Sequence, residues 1–317
     1  MEEYPKSLSE FEEAFGTEEA CRQYLLRLRW PDGFVCPRCQ SDRCWLTKRN
    51  ILVCSSCEYQ VSAMAGTIFQ DTHKPLMMWF RAMWWVTSQK NGASALGLQR
   101  ILGLGSYRTA WAWLHKLRRA MVRPGRDRLS GRVEVDEAYW GGREEGWQGR
   151  EHGTKTLLAI AAQEDGPKVG RIRMRRVPDA SAKSLEGFIA EAIEPGSLVH
   201  TDGWVGYGGL RNKGYIHEPT LQGRLGIPGA EEDLLPRVHR VVALLKRWLM
   251  GTHQGAISPE HLDYYLDEFT FRFNRRASKY RGKLFYRLVQ QAVNVAPVPY
   301  DHLIKHVRGL KPKENNP

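Results

Sequence analysis

Two cysteine pairs, each with two residues between the thiols, stand 14 residues apart in the stretch CPRCQSDRCWLTKRNILVCSSC. Cys36 and Cys39 form one pair, Cys54 and Cys57 the other. The two-residue spacing lets a tight turn aim both thiolates at one point, and two such turns complete a tetrahedral ion site with no open position. The pattern predicts one structural Zn²⁺ that organises a small β-rich ribbon and takes no part in chemistry. Four unrelated thiols are the alternative, and the doubled spacing argues against them. Cys21 and Cys44 fall outside the pattern, and Cys44 reads as a small buried hydrophobe.

The charge balance points to the partner. Lys plus Arg number 47 against 35 Asp plus Glu, a net +12 that favours a polyanion, nucleic acid above all. Glu is concentrated in residues 2–19, whereas the 55 residues from Thr72 to Arg126 hold ten Lys and Arg and no acid. So concentrated a basic element, which includes Arg108, Lys116, Arg118 and Arg119, is where phosphate contacts are expected.

The acidic start Met1-Glu2-Glu3-Tyr4 lacks the basic region of a signal peptide. No apolar run approaches the roughly 18 residues of a membrane span. LMMWFRAMWWV, broken by Arg81, reads as a packed helix. A cytoplasmic protein with no membrane partner is expected. Within the acid-free segment, a helix over 93–102, a turn with Gly103 and Gly105, and a helix from Ser106 have the grammar of a helix-turn-helix. Ser106 is placed as an N-cap, with Tyr107, Trp111, Leu114 and Leu117 as the repeating apolar face. A plain helical hairpin is the alternative.

After the linker RPGRDRLSG the spacing predicts strands over 133–140, 156–163 and 170–177. There follow a helix through LEGFIAEAI capped by Ser181 or Ser184, a strand over 197–202, a short GWVGYGGL helix, a KGYIHEP strand and the long helix LLPRVHRVVALLKRWLM. The order βββαβαβα is that of an α/β domain of ribonuclease H-like fold with a mixed sheet. Asp136 and Asp202 then lie in or at the ends of apolar strands that are neighbours in that fold. An isolated buried carboxylate is costly, so a metal or a partner is expected there. Two carboxylates on adjacent strands suit two Mg²⁺ or Mn²⁺ ions in phosphoryl transfer.

The stretches CPRC…CSSC, VEVDEAYWGG, VHTDGWVGY, LLKRWLMGTHQG and YYLDEFTFRFNRR together resemble an insertion-sequence transposase of the ISXO2-like group, from about residue 15 to residue 290. The resemblance implies an enzyme that cuts double-stranded DNA at its element's inverted-repeat ends and joins them to a target. It implies Asp136 and Asp202 as the first two catalytic acids, a homo-oligomer in the DNA complex, and a prokaryotic cytoplasm with nucleoid association. The group's third position is usually Asn or Glu, two turns ahead of a Lys. Here Lys246 is that Lys, and His239 stands seven residues before it with 36 residues between it and Asp202. An imidazole suits Mg²⁺ poorly and Mn²⁺ better. Glu231, Glu232, Asp233 and Glu268 are acids that could supply a further oxygen.

Lys246 and Arg247 are expected at phosphate, as are Arg275 and Arg276 in the basic-aromatic C-terminal stretch. GTHQG reads as a helix C-cap loop with His253 able to approach DNA. The expected domains are a zinc-ribbon region over 1–70, a helix-turn-helix-like segment over 71–128, a catalytic domain over 129–290 and a tail over 291–317. Two further functions stay open: a catalytically impaired relic that only binds DNA, and a ribonuclease H-like nuclease that does not transpose.

Overall fold

A computed structural model of the chain describes residues 3–123, 125–141, 155–220 and 234–304. The elements run α1 (Leu8–Ala14), α2 (Glu18–Arg29), β1 (Cys44–Leu46), β2 (Leu52–Cys54), β3 (Gln60–Val61), α3 (Leu76–Ser88), α4 (Ala95–Leu102) and α5 (Tyr107–Ala120). They continue with β4 (Arg132–Trp140), β5 (Thr156–Asp165), β6 (Lys168–Val177), α6 (Ala182–Ala192), β7 (Leu198–Thr201), β8 (Ile216–Pro219), α7 (Pro236–His253), α8 (Leu262–Phe273), α9 (Gly282–Ala292) and α10 (Tyr300–Ile304). The loop EEGWQGREHG, the acids Glu231, Glu232 and Asp233, and the tail GLKPKENNP lie outside the described residues. Among the described residues, no helix is long and apolar enough to cross a membrane.

The chain divides into two compact units, Met1–Arg123 with Ala277–Pro317, and Pro124–Arg276. In the first, the rings of Phe11, Phe15, Tyr24, Phe80, Trp84 and Phe285 meet in edge-on, tilted and stacked pairs. This aromatic centre joins α1, α2, α3 and α9. The N-cap residue of α3 is Pro75, which has no acceptor side chain to offer. Glu18 of α2 supplies one, its carboxylate accepting the N–H groups of Leu76 at 2.7 Å and Met77 at 3.1 Å.

The first unit corrects several expectations. Ser106 does cap α5, accepting the Arg108 N–H at 3.2 Å, and Gly103 ends α4 in the left-handed region. The buried face of α5, however, carries Ala110, Trp113, Leu114 and Leu117, and Trp113 stacks on Trp79 with ring centroids 3.8 Å apart. Tyr107 is 51% exposed and Trp111 only half-buried. The C-terminal stretch is two helices, broken after Phe273. The second of them, α9, buries Leu284, Phe285, Leu288 and Val289 in the first unit, to which the chain returns at Ala277.

The second unit is a five-stranded mixed sheet in the order β6-β5-β4-β7-β8. β4, β5 and β6 are antiparallel neighbours; β7 runs parallel to β4, and β8 parallel to β7. Leu157, Ala159 and Ala161 of β5 meet Leu185, Phe188 and Ile189 of α6 on one face. Leu158, Ile160 and Ala162 meet Val238, Val241 and Leu245 of α7 and Leu266 of α8 on the other. Both faces are covered, which accounts for the continuously apolar run of β5. Ser181 is the cap of α6, and GWVGYGGL forms short 3-10 turns.

Candidate active site and zinc centre

The sulfurs of Cys36, Cys39, Cys54 and Cys57 all lie within 4.8 Å of one another. The Cys36–Cys57 and Cys39–Cys54 separations are 3.7 and 3.6 Å. A tetrahedron with metal–sulfur bonds of about 2.3 Å has edges of roughly 3.8 Å, so the cluster has the size of a zinc site. Desolvation opposes ionisation of Cys54, but backbone N–H groups of Ser56 and Cys57 and the thiols of Cys39 and Cys36 hold it down at about 6. Cys57 moves the other way: the Tyr59 backbone N–H opposes it, but burial and the other three thiols push it up. Cys44 faces Cys54 across the β1–β2 ladder and is half-buried, while Cys21 is fully buried against the Phe15 carbonyl.

Asp136 lies in β4, and Asp202 directly follows β7. The parallel register pairs Arg132 with Leu198 and Glu134 with His200. Carried two residues further, it sets Asp202 opposite Asp136. From the first turn of α7, His239 brings Nε2 to 3.2 Å from Asp136 Oδ2. The His239 side chain is 48% exposed and that of Asp136 only 15%. Burial pushes the Asp136 carboxyl above its ordinary range, and the Asp202 charge adds to this while His239 opposes it. Two half-buried carboxylates whose charges act on each other favour a cation nearby. An imidazole donor suits Mn²⁺ better than Mg²⁺, but among the described residues only the four cysteines bring three or more possible ligand atoms close enough together to hold one ion.

The turn after β7 is shaped by small residues. Asp202 Oδ1 accepts the Trp204 N–H at 3.0 Å, and Trp204 Nε1 donates to the Ala180 carbonyl at 2.8 Å. A Cβ at Gly206 would meet that carbonyl at 2.7 Å and the Trp204 ring at 2.9 Å. On the opposite face of β4, the Tyr207 hydroxyl donates to Glu137, and burial followed by the Glu137 charge drives the Tyr207 phenol well above its usual range.

The model of the ISXO2-like transposase domain matches residues 128–274, and that of a transposase zinc-ribbon domain matches residues 16–60. Over these two segments the chain is similar to the ISXO2-like transposases. The first match holds Asp136, Asp202 and His239, and the second holds all four clustered cysteines. An uncharacterised protein in transposable element ISH50 of Halobacterium salinarum is 25% identical over 276 residues, which cover 81% of this chain and 91% of that one. The transposase domain implies a ribonuclease H-like fold, with which the mixed sheet and its covering helices agree.

The basic residues divide by exposure. Arg108, Lys246 and Arg247 are exposed, and Lys116 and Arg119 are half-buried. Arg118 is 1% exposed on the inner face of α5 and presents no charge to solvent, a correction to its expected place at phosphate. Arg275 stacks on Phe271 and donates to the Phe271 carbonyl at 3.2 Å. Arg276 lies over Phe273 and donates to the Gly170 carbonyl at 3.2 Å and to that of Val169. Both have roles within the chain itself. Glu268 is buried in α8 with Arg272 4.0 Å away, and His253 sits between the Trp248 and Tyr265 rings.

Sequence reading passed over Glu134. It is 1% exposed in the middle of β4 and accepts from the first turn of α7. Its signal was the acid inside Val-Glu-Val, hidden because alternation resembles a strand with one wet face.

Proposed function

We propose that the chain is a transposase of the ISXO2-like group that cuts double-stranded DNA at the ends of its own insertion element and joins those ends to target DNA by two-metal phosphoryl transfer. The observation that carries this reading is the Asp136–His239 contact of 3.2 Å on the strand whose register brings Asp202 alongside. Asp136 and Asp202 would hold Mg²⁺ or Mn²⁺, and His239 takes the third position. Ions bound there supply charge stabilisation at the attacking and leaving oxygens. His239 is open enough to meet a scissile phosphate, and Lys246, two turns further along α7, shares its side of the helix and receives the adjoining backbone.

The zinc ribbon and the α4–α5 pair read the ends, with Arg108 in the exposed first turn of α5 at the DNA. Lys116, Arg119 and Arg247 add phosphate contacts, and Arg275 and Arg276 are assigned to phosphate as well, beside their bonds to backbone carbonyls. Two copies act together, since two ends must be cut and joined, and the complex works in a prokaryotic cytoplasm on nucleoid DNA. The imidazole in place of an acid favours one second reading, a DNA-binding relic with a decayed site.

Cleavage and strand transfer on DNA bearing the element's own ends, in Mg²⁺ and in Mn²⁺, separate these readings. The expected result is activity in wild type, stronger in Mn²⁺, no activity in Asp136→Asn, and a loss of about 100-fold in His239→Ala, the scale expected for a misplaced catalytic constellation. A wild type that binds the ends but is inert in both metals, with cutting restored in His239→Glu, establishes the relic. Cutting without joining establishes a nuclease.

A further inference from the structure

The N-cap residue of α7 is Leu235, which offers no side-chain acceptor to the helix's unbonded N–H groups. The acceptor comes from the sheet. Glu134 Oε2 receives the Arg237 N–H at 2.8 Å and the Val238 N–H at 3.0 Å, while Glu134 Oε1 receives Arg237 Nη1 at 2.8 Å. The same guanidinium lies 3.3 Å from Glu164 of β5, and its other nitrogen donates to the Gly166 carbonyl at 2.9 Å. One carboxylate and one arginine thus tie the start of α7 to β4 and to the β5–β6 turn.

This tie is one step removed from the candidate active site on both elements. Glu134 precedes Asp136 by two residues, so strand alternation sets both on the face that α7 covers. Arg237 and Val238 immediately precede His239. The helix–strand pair is therefore joined twice in succession, first by Glu134 to the backbone of residues 237 and 238, then by Asp136 to Nε2 of His239. Sliding or rotation of α7 that breaks the first joint also moves the second beyond hydrogen-bond range. A buried ion pair is a weak source of net stability, because desolvation offsets its attraction, but its directional bonds fix geometry.

We propose that Glu134 is a positioning residue that sets the height and rotation of α7 and so holds His239 against Asp136. The inference rests on reading Asp136, Asp202 and His239 as a metal-dependent active site. Glu134 acts through the helix, by its bonds to Arg237 and Val238. Its conservative replacement by Gln keeps an oxygen for the two backbone N–H groups, whereas Asp withdraws the acceptor and Ala removes it.

The test is a double-mutant cycle in the full-length zinc-loaded protein, with end binding and melting temperature followed beside cleavage in Mn²⁺. Glu134→Ala and Glu134→Asp are expected to slow cleavage about 100-fold at unchanged end affinity, and Glu134→Gln to stay within about 10-fold of wild type. Glu134→Ala is expected to cost less than about threefold further in a His239→Ala background, since the group through which it acts is already gone. Losses that multiply across the two sites overturn the proposal while leaving the active-site reading intact.

Mn²⁺ binding by electron paramagnetic resonance gives the second readout and does not depend on turnover. Glu134→Ala is expected to weaken Mn²⁺ binding as much as His239→Ala does, and the double variant no further. Should Glu134→Ala fail to fold, Glu134→Asp and Glu134→Gln carry the same comparison. An inert wild type that still shows this pattern sinks the transposition reading alone; Mn²⁺ affinity that is untouched in every Glu134 variant, or absent from wild type, sinks the positioning role.

Discussion

At the scale of single residues, the turn that carries Asp202 depends on an absent side chain. Gly206 closes on the Ala180 carbonyl and the Trp204 ring, and a methyl group there must displace backbone or an indole that is itself hydrogen-bonded. Overpacking of this kind costs about 1–3 kcal/mol. Gly206→Ala is expected to lower stability by that amount in urea unfolding, whereas Gly187→Ala is expected to be neutral or to gain up to about 1 kcal/mol. Gly187 lies on the exposed side of α6 with nothing within 4 Å of the added carbon. Equal losses at both glycines would refute a role for close approach. The sequence made Asp136, Asp202 and the cysteines legible because each departs from its surroundings. It concealed Glu134 and Arg118 for a common reason: a charged residue is read as facing water, and only the packing of α7 on β4 and the inner face of α5 place these two inside.

Among the elements, the ribbon has the smallest apolar reserve. Its strands are three, three and two residues long, and Trp45 and Leu46 are 50% and 48% exposed. So little burial cannot hold three strands together, and the ion must contribute what a core does not. Removal of zinc with a chelator is expected to release one ion per chain, make Cys36, Cys39, Cys54 and Cys57 reactive to a thiol reagent, and open protease cleavage within residues 36–61. The helical circular dichroism is expected to survive, because α2, α3 and α9 share an aromatic centre that does not depend on metal. Loss of the helices along with the zinc would show that the two are coupled. The β-rich ribbon, the five strands of the sheet with α6 and α7, and the cap at Ser106 were readable from periodicity and spacing, whereas the helix expected between β7 and β8 is a pair of 3-10 turns. Which tryptophan of α5 points inward was not, because Trp111 and Trp113 both satisfy some helical repeat and only Trp79 on α3 decides between them.

On the scale of the whole molecule, the chain leaves its first unit at Arg123, builds the sheet-bearing unit, and returns at Ala277 to complete what it left. The returning α9 buries Leu284, Phe285, Leu288 and Val289 to 1% exposure or less, and Phe285 touches the rings of Phe11, Phe15, Tyr24, Phe80 and Trp84. Each such side chain contributes about 1.5–3 kcal/mol when fully buried, a sum comparable to the entire stability of a domain. No local sequence signal marks this return, since an amphipathic helix shows that it has a partner and not which partner it has. A fragment of residues 124–276 is therefore expected to unfold cooperatively by itself, having both sheet faces covered from within its own span. A fragment of residues 1–123 is expected to lack the near-ultraviolet signal of fixed aromatic rings, and to regain it when a peptide of residues 277–304 is added. A fixed aromatic signal in residues 1–123 alone would mean that the aromatic centre closes without Phe285, and that α9 is an addition to that unit in place of one of its founding parts.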